Sequence, residues 1–115
     1  MATSIRELVK ERQVEVKSTD LQIGRASEIL KELSAIIGNC NDEIRVADVE
    51  YSRVLLAYYE TEEKANRAKI KAEVTPEYIR RREARDTKEL VIEMINSLKY
   101  FLRAKSEEYR ASGNQ

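Results

Sequence analysis

The run Val74-Thr75-Pro76-Glu77 constrains the fold of this chain more than any other stretch of it. Pro76 is the sole proline, and proline is best tolerated at the first position of a helix, where its missing N–H leaves nothing unsatisfied. Thr75 stands where a capping hydroxyl is needed, and Val74 and Ile79 have the spacing of a hydrophobic staple. A helix is therefore predicted to start at 76. Apolar residues recur at helical intervals on both sides of this boundary. Before it come Ile44, Ala47, Tyr51, Val54, Tyr58, Ala65, Ala68 and Ala72; after it come Leu90, Met94, Leu98 and Phe101, with Val91, Ile95 and Leu102 widening the stripe. Glu60 with Lys64 and Glu63 with Arg67 are four apart in the favourable order, so the first of these helices is expected to run unbroken. Segments 42–73 and 76–110 thus read as two rods, each roughly 50 Å long at about 1.5 Å per residue. They turn back on each other at 74–75 as a long antiparallel, coiled-coil-like hairpin.

With three glycines and one proline in 115 residues, the chain has too little turn chemistry for a sandwich or barrel, and the expected fold class is all-α. One domain is expected over 1–115. Ser4 to Glu7 and Thr19 to Gln22 have capping-box spacing and mark two earlier helix starts. Gly38 can close a helix in the left-handed conformation, and Asn39 or Asn41 can cap the next one, which predicts a corner at 38–41. The expected order is an N-terminal arm or helix over 1–18, a short helix over 19–38, the hairpin over 41–110 and a frayed tail over 111–115. The short helix carries Leu21, Ala26, Ile29, Leu30, Leu33, Ile36 and Ile37. In the arm, Ile5, Leu8, Val9 and Val16 share a helical face, while Val14 and Val16 alternate as in a strand.

Several function classes lose their chemistry here. The chain has no histidine, which removes catalytic triads and histidine-bearing di-iron sites, so catalysis is not expected. Cys40 is the only cysteine, so an internal disulfide framework and a cysteine-histidine metal cage are excluded. The three glycines are isolated from one another, which leaves no phosphate-cradling loop. The acidic run Glu60, Glu62 and Glu63 points in several directions on a helix and suits solvent better than a metal ion. No cofactor, metal or small-molecule substrate is expected. The longest apolar run, Val54 to Tyr59, is too short for a membrane span, and the opening residues lack the apolar stretch of a secretory signal. The expectation is a soluble, cytoplasmic protein.

Charge is segregated along the chain although 21 basic residues balance 21 acidic ones. Residues 41–63 carry Arg45 and Arg53 against Asp42, Glu43, Asp48, Glu50, Glu60, Glu62 and Glu63, an excess of five acidic groups. Residues 64–88 carry Lys64, Arg67, Lys69, Lys71, Arg80, Arg81, Arg82, Arg85 and Lys88 against Glu73, Glu77, Glu83 and Asp86, an excess of five basic groups. A basic hairpin tip suits an anionic partner such as nucleic acid, bound through bidentate arginine contacts and counterion release. Tyr78 is positioned there to stack on a base. The alternatives are a solvated face whose cations pair with their own glutamates, or a staggered assembly in which one subunit's acidic stretch meets another's basic tip.

The apolar faces are wider than one two-helix seam requires. Val54, Leu55, Leu56, Tyr58 and Tyr59 surround most of their helix, so self-association is expected through Val54, Leu55, Tyr58, Tyr59, Leu90, Met94, Leu98 and Phe101. The bland alternative covers this excess with the two N-terminal helices of the same chain.

The stretch Ser18-Thr19-Asp20-Leu21-Gln22, then an amphipathic helix, a turn, a charged helix and the pair Tyr58-Tyr59, resembles the recombination mediator family of tailed phages, UvsY. The later part, with Arg80 to Asp86, Lys88-Glu89, Ser97-Leu98-Lys99, Arg103, Glu107 and Glu108, is similar in rhythm to small phage hairpin proteins. The resemblance implies a non-enzymatic oligomer that binds single-stranded DNA, meets the single-strand-binding protein on it and assists recombinase loading. It places one DNA-contacting position at Arg53 and another at Leu55, which cannot hold a phosphate. Glu60 and Thr61 stand where the family has glycine, and its basic-aromatic ending has no counterpart here. These departures move the expected DNA site to the tip. The expected phosphate contacts are Arg53, Lys64, Arg67, Lys69, Lys71, Arg80, Arg81, Arg82, Arg85 and Lys88. The alternative function is a structural or adaptor coiled coil acting through protein–protein contacts, as an assembly or host-takeover factor.

Overall fold

The computed structural model describes residues 4–113. Met1 to Thr3 and Asn114 to Gln115, parts of the expected arm and tail, lie outside them. The fold is all-α, with α1 over Ile5–Val16, α2 over Ile23–Thr61, α3 over Ala65–Ala72 and α4 over Pro76–Gly113. The two long helices, α2 and α4, pack against each other as a helical hairpin.

Two of the sequence-derived starts hold in atomic detail. Ser4 caps α1, its hydroxyl accepting from the Glu7 N–H at 3.1 Å. At α4 the Thr75 hydroxyl accepts from the Tyr78 N–H at 3.4 Å and donates to the Ala72 carbonyl at 2.6 Å, tying the new helix to the end of α3. The expected staple buries little, since Val74 is 78% and Ile79 52% exposed.

Four boundaries differ from expectation. Thr19 does not cap a helix: Ser18 accepts from the Asp20 N–H, Gln22 donates to the Asp20 carbonyl, and α2 begins at Ile23. No corner forms at 38–41, because α2 runs through Gly38 as one helix of 39 residues and no described residue has a positive φ. The physical reason is register. Ala26, Leu33, Cys40 and Ala47 are buried at intervals of seven, so the inward stripe continues in phase across the glycine. Conversely, the helix expected over 42–73 breaks at 62–64. Glu60, Glu62 and Glu63 crowd the negative end of a helix whose last turn holds no basic residue. The Thr61 hydroxyl caps the Tyr58 carbonyl at 3.2 Å, and Lys64 is extended before α3 starts. Neither the Glu60–Lys64 nor the Glu63–Arg67 pair forms; Glu62 pairs with Lys71 instead. Finally, α4 continues through Ser112 to Gly113 where a frayed tail was expected.

The chain divides into two compact units. The first comprises residues 1–37 and 89–115, and Val9 of α1, Ala26, Ile29 and Leu33 of α2 and Val91, Met94 and Leu98 of α4 form its buried core. Charge holds α1 in this unit: Arg12 Nε donates to Glu32 Oε2 at 2.7 Å, and Arg25 grips Glu15 through Nε and Nη2 at 2.9 and 3.0 Å. Hydrogen bonding from Arg25 holds the Glu15 carboxyl below its ordinary range, against a smaller effect of burial.

The second unit is Gly38–Lys88. Its buried side chains are Cys40, Ala47, Tyr51, Ala68, Ala72 and Thr87, a core of small residues around one aromatic ring. So little apolar bulk places this unit toward the low end of local stability.

Candidate interaction surfaces

Within the second unit, Asp48 on α2 accepts from Arg81 Nε at 2.9 Å and from Arg85 Nη2 at 3.1 Å, both on α4. Partial burial raises the pKa of this carboxyl, but hydrogen bonds from the two guanidinium groups outweigh it, and the net shift is downward. Arg81 also lies 5.0 Å from the centroid of the Tyr51 ring, a cation–π contact, and Tyr51 meets Tyr78 at 5.4 Å with the rings tilted by 54°. Nearby, Arg80 donates to Glu50 at 3.1 Å, and Lys71 pairs with Glu62.

These contacts change the reading of the charged tip. The acidic stretch 41–63 and the basic stretch 64–88 fall in the same unit, where their excesses cancel. Four of the ten expected phosphate contacts, Lys71, Arg80, Arg81 and Arg85, are engaged with carboxylates of their own chain. For these four cations, the pairing offered as an alternative between one subunit's acidic stretch and another's basic tip is made within a single chain. Tyr78 is half-buried against Tyr51 and is not the free base-stacking ring that the sequence suggested.

Arg53, Lys64, Arg67, Lys69 and Arg82 remain exposed and make no ion pair among the described residues. Lys88 is half-buried and acts electrostatically on Cys40. Three of the exposed cations, Lys64, Arg67 and Lys69, belong to α3 or cap it. The run from Lys64 to Ala72 contains no acidic residue.

The expected oligomer surface divides as well. Met94 and Leu98 are buried within the chain and offer nothing to a second copy, while Val54, Leu55, Tyr58, Leu90 and Phe101 are half-buried. Only Tyr59 of that group is exposed, at 37%. Another stripe is far more open. Val46, Val49 and Leu56 are 53%, 46% and 58% exposed on α2, and Arg45, Val46, Val49, Glu50 and Arg53 line a shallow open hollow. Of this stripe the sequence analysis singles out Leu56 alone, as one of the apolar residues around the helix, because the Ala47–Tyr51–Val54 face carries the inward periodicity. The missed signal was a second series, Val46, Val49, Arg53 and Leu56, at alternating steps of three and four on another face of the same helix.

No helix is long and apolar enough to cross a membrane among the described residues, and no group of three metal-ligating side chains occurs among them. Burial, together with the charge of Glu43, pushes the Cys40 thiol up, so this side chain is a small core residue with little thiolate. These elements define the class as an all-α helical hairpin protein. Comparison with protein-family models, curated proteins and solved structures finds no match.

Proposed function

We propose that this chain is a non-enzymatic adaptor or assembly protein that works by presenting an exposed face of its hairpin to other protein. The observation that carries this reading is the stripe Val46, Val49 and Leu56, three large aliphatic side chains left about half exposed on one helix. Full burial of such a side chain is worth roughly 1.5 to 3 kcal/mol, so this face gains from a partner what the fold itself leaves unused. Internal neutralisation of Lys71, Arg80, Arg81 and Arg85 argues in the same direction, because it lowers the pull of the tip on phosphates. The test is retention of proteins from a lysate of the source cell on the full chain, compared with a Val46→Asn, Leu56→Asn double variant. Proteins held by the first and released by the second support the reading. Identical sets on both baits, from a chain that is also monomeric in solution, would refute it.

The second reading is single-stranded DNA binding in recombination, with the recombinase and the single-strand-binding protein as partners. It is favoured by the exposed Lys64, Arg67 and Lys69 around α3, with Arg53 and Arg82 as further cations. On this reading a labelled oligonucleotide binds with an affinity that falls steeply with salt, and alanine at 64, 67 and 69 weakens it. An affinity unchanged by those substitutions removes α3 from consideration.

A further inference from the structure

We infer that the α2 stripe seats a second copy of this chain, packed antiparallel about a two-fold axis close to Tyr51 and Ser52. The inference rests on the protein–protein reading above and names its partner. Asp42, Val46, Val49, Arg53, Leu56 and Glu60 are spaced four, three, four, three and four residues apart, the pattern of a coiled-coil seam. All six are exposed, whereas Ala47 and Tyr51 between them are buried inward, so the seam faces away from the chain's own core. Its 19 residues span about 27 Å at about 1.5 Å per residue.

Charge selects both the occupant and the direction. In a parallel pair, each seam residue meets its own equivalent, which sets Arg53 on Arg53, Asp42 on Asp42 and Glu60 on Glu60. Like charges so juxtaposed work against association. In the antiparallel pair, seam positions whose numbers add to 102 face each other. Val46 then packs on Leu56, and Arg53 lies over Val49 beside Glu50 of the other copy. Arg45 comes within a turn of the other copy's Glu60. Each cation of the stripe thereby meets a carboxylate of the same stripe, and the two-fold repeats each pairing, as an isologous interface requires. Glu50 already accepts from Arg80 through Oε2, and a carboxylate has a second oxygen for Arg53. Against this, Asp42 and Glu60 face each other at the solvated ends of the seam, where screening is strongest. A seam this short falls at the small end of stable interfaces, near 1,200 Å² in total, which points to a dimer that dissociates on dilution.

Sedimentation of the full chain across concentrations from about 1 to 500 μM, a range spanning typical affinities for small interfaces, tests association. The expected result is a concentration-dependent dimer, weakened at least about tenfold (about 1.4 kcal/mol) by Val46→Asn with Leu56→Asn. The helical signal should be unchanged, because both side chains are already exposed in the monomer. Direction is tested by oxidising Val46→Cys and Leu56→Cys proteins separately and mixed; Cys40, 1% exposed, does not compete. Disulfides that form only in the mixture support the antiparallel seam. Disulfides within either variant alone, a wild type that stays monomeric, or a double variant as dimeric as wild type each overturn it. A monomeric wild type whose stripe still retains a different protein from the lysate overturns this inference and leaves the adaptor reading standing. A monomer with no stripe-dependent retention overturns both.

Discussion

Gly38→Ala puts a single methyl group where the sequence suggests a corner and the structure shows the interior of a helix. In a left-handed corner, a residue with a Cβ costs about 1 to 2 kcal/mol. In the interior of a helix, the same substitution removes the conformational freedom that glycine has in the unfolded chain and gains about 0.5 to 1 kcal/mol. Gly38 lies 15 residues inside α2, is exposed, has no positive φ, and a Cβ built on it meets nothing within 4 Å. No steric term therefore offsets the gain. For a chain of this size, the expected rise in Tm is roughly 2 to 4 °C. Thermal and urea unfolding followed by helical circular dichroism measures it. Gly24→Ala serves as the internal comparison: its Cβ also meets nothing within 4 Å, but it is the second residue of α2, where fewer helical hydrogen bonds depend on it and the gain should be smaller. A loss of about 1 kcal/mol or more at Gly38 would refute the continuous helix and restore the corner.

Leu33→Ala removes a side chain that is 1% exposed in the first unit and should cost about 2 to 5 kcal/mol in urea unfolding; a cost under 1 kcal/mol would mean that this core is not packed as described. Cys40 should react with a thiol reagent only as the protein unfolds, with a rate that follows denaturant, since its thiol is buried and its pKa raised; rapid labelling of the native protein would contradict its burial. Asp48→Asn should cost about 1 kcal/mol at neutral pH, an amount suited to partly exposed ion pairs, with the loss read from urea midpoints. Asp48 and Glu15 both have lowered pKa values in the folded chain. Just below the ordinary carboxylate range the unfolded chain therefore binds more protons, so their stabilisation is complete above about pH 4.5 and drains away as pH falls through the lowered values. Asn at 48 should flatten that acid limb, and an unchanged slope would assign it to other groups.

The sequence by itself determined the helical class, the absence of histidine and disulfide chemistry, the capped start at Ser4 and the boundary at Thr75-Pro76. The first two follow from composition alone, and the two helix starts depend on residues within one helical turn, where capping and the fixed φ of proline act without help from the rest of the fold. Local signals failed where they competed with packing. Gly38 and Asn39 form a plausible helix stop, yet the inward stripe of Ala26, Leu33, Cys40 and Ala47 carries α2 straight through. Glu60 to Lys64 supplies good pairs for a helix, yet the chain ends one there. The candidate sites depended even more on tertiary structure. Counting charges along the chain showed two opposite blocks, but not that Asp48, Glu50 and Glu62 reach Arg81, Arg85, Arg80 and Lys71 across some 9 to 37 residues of sequence. Which arginines stay unpaired, and which aliphatic face of α2 stays exposed, are decided only when the two long helices of the hairpin lie against each other. Coulombic pairing and burial act through space, and the sequence orders residues along one dimension.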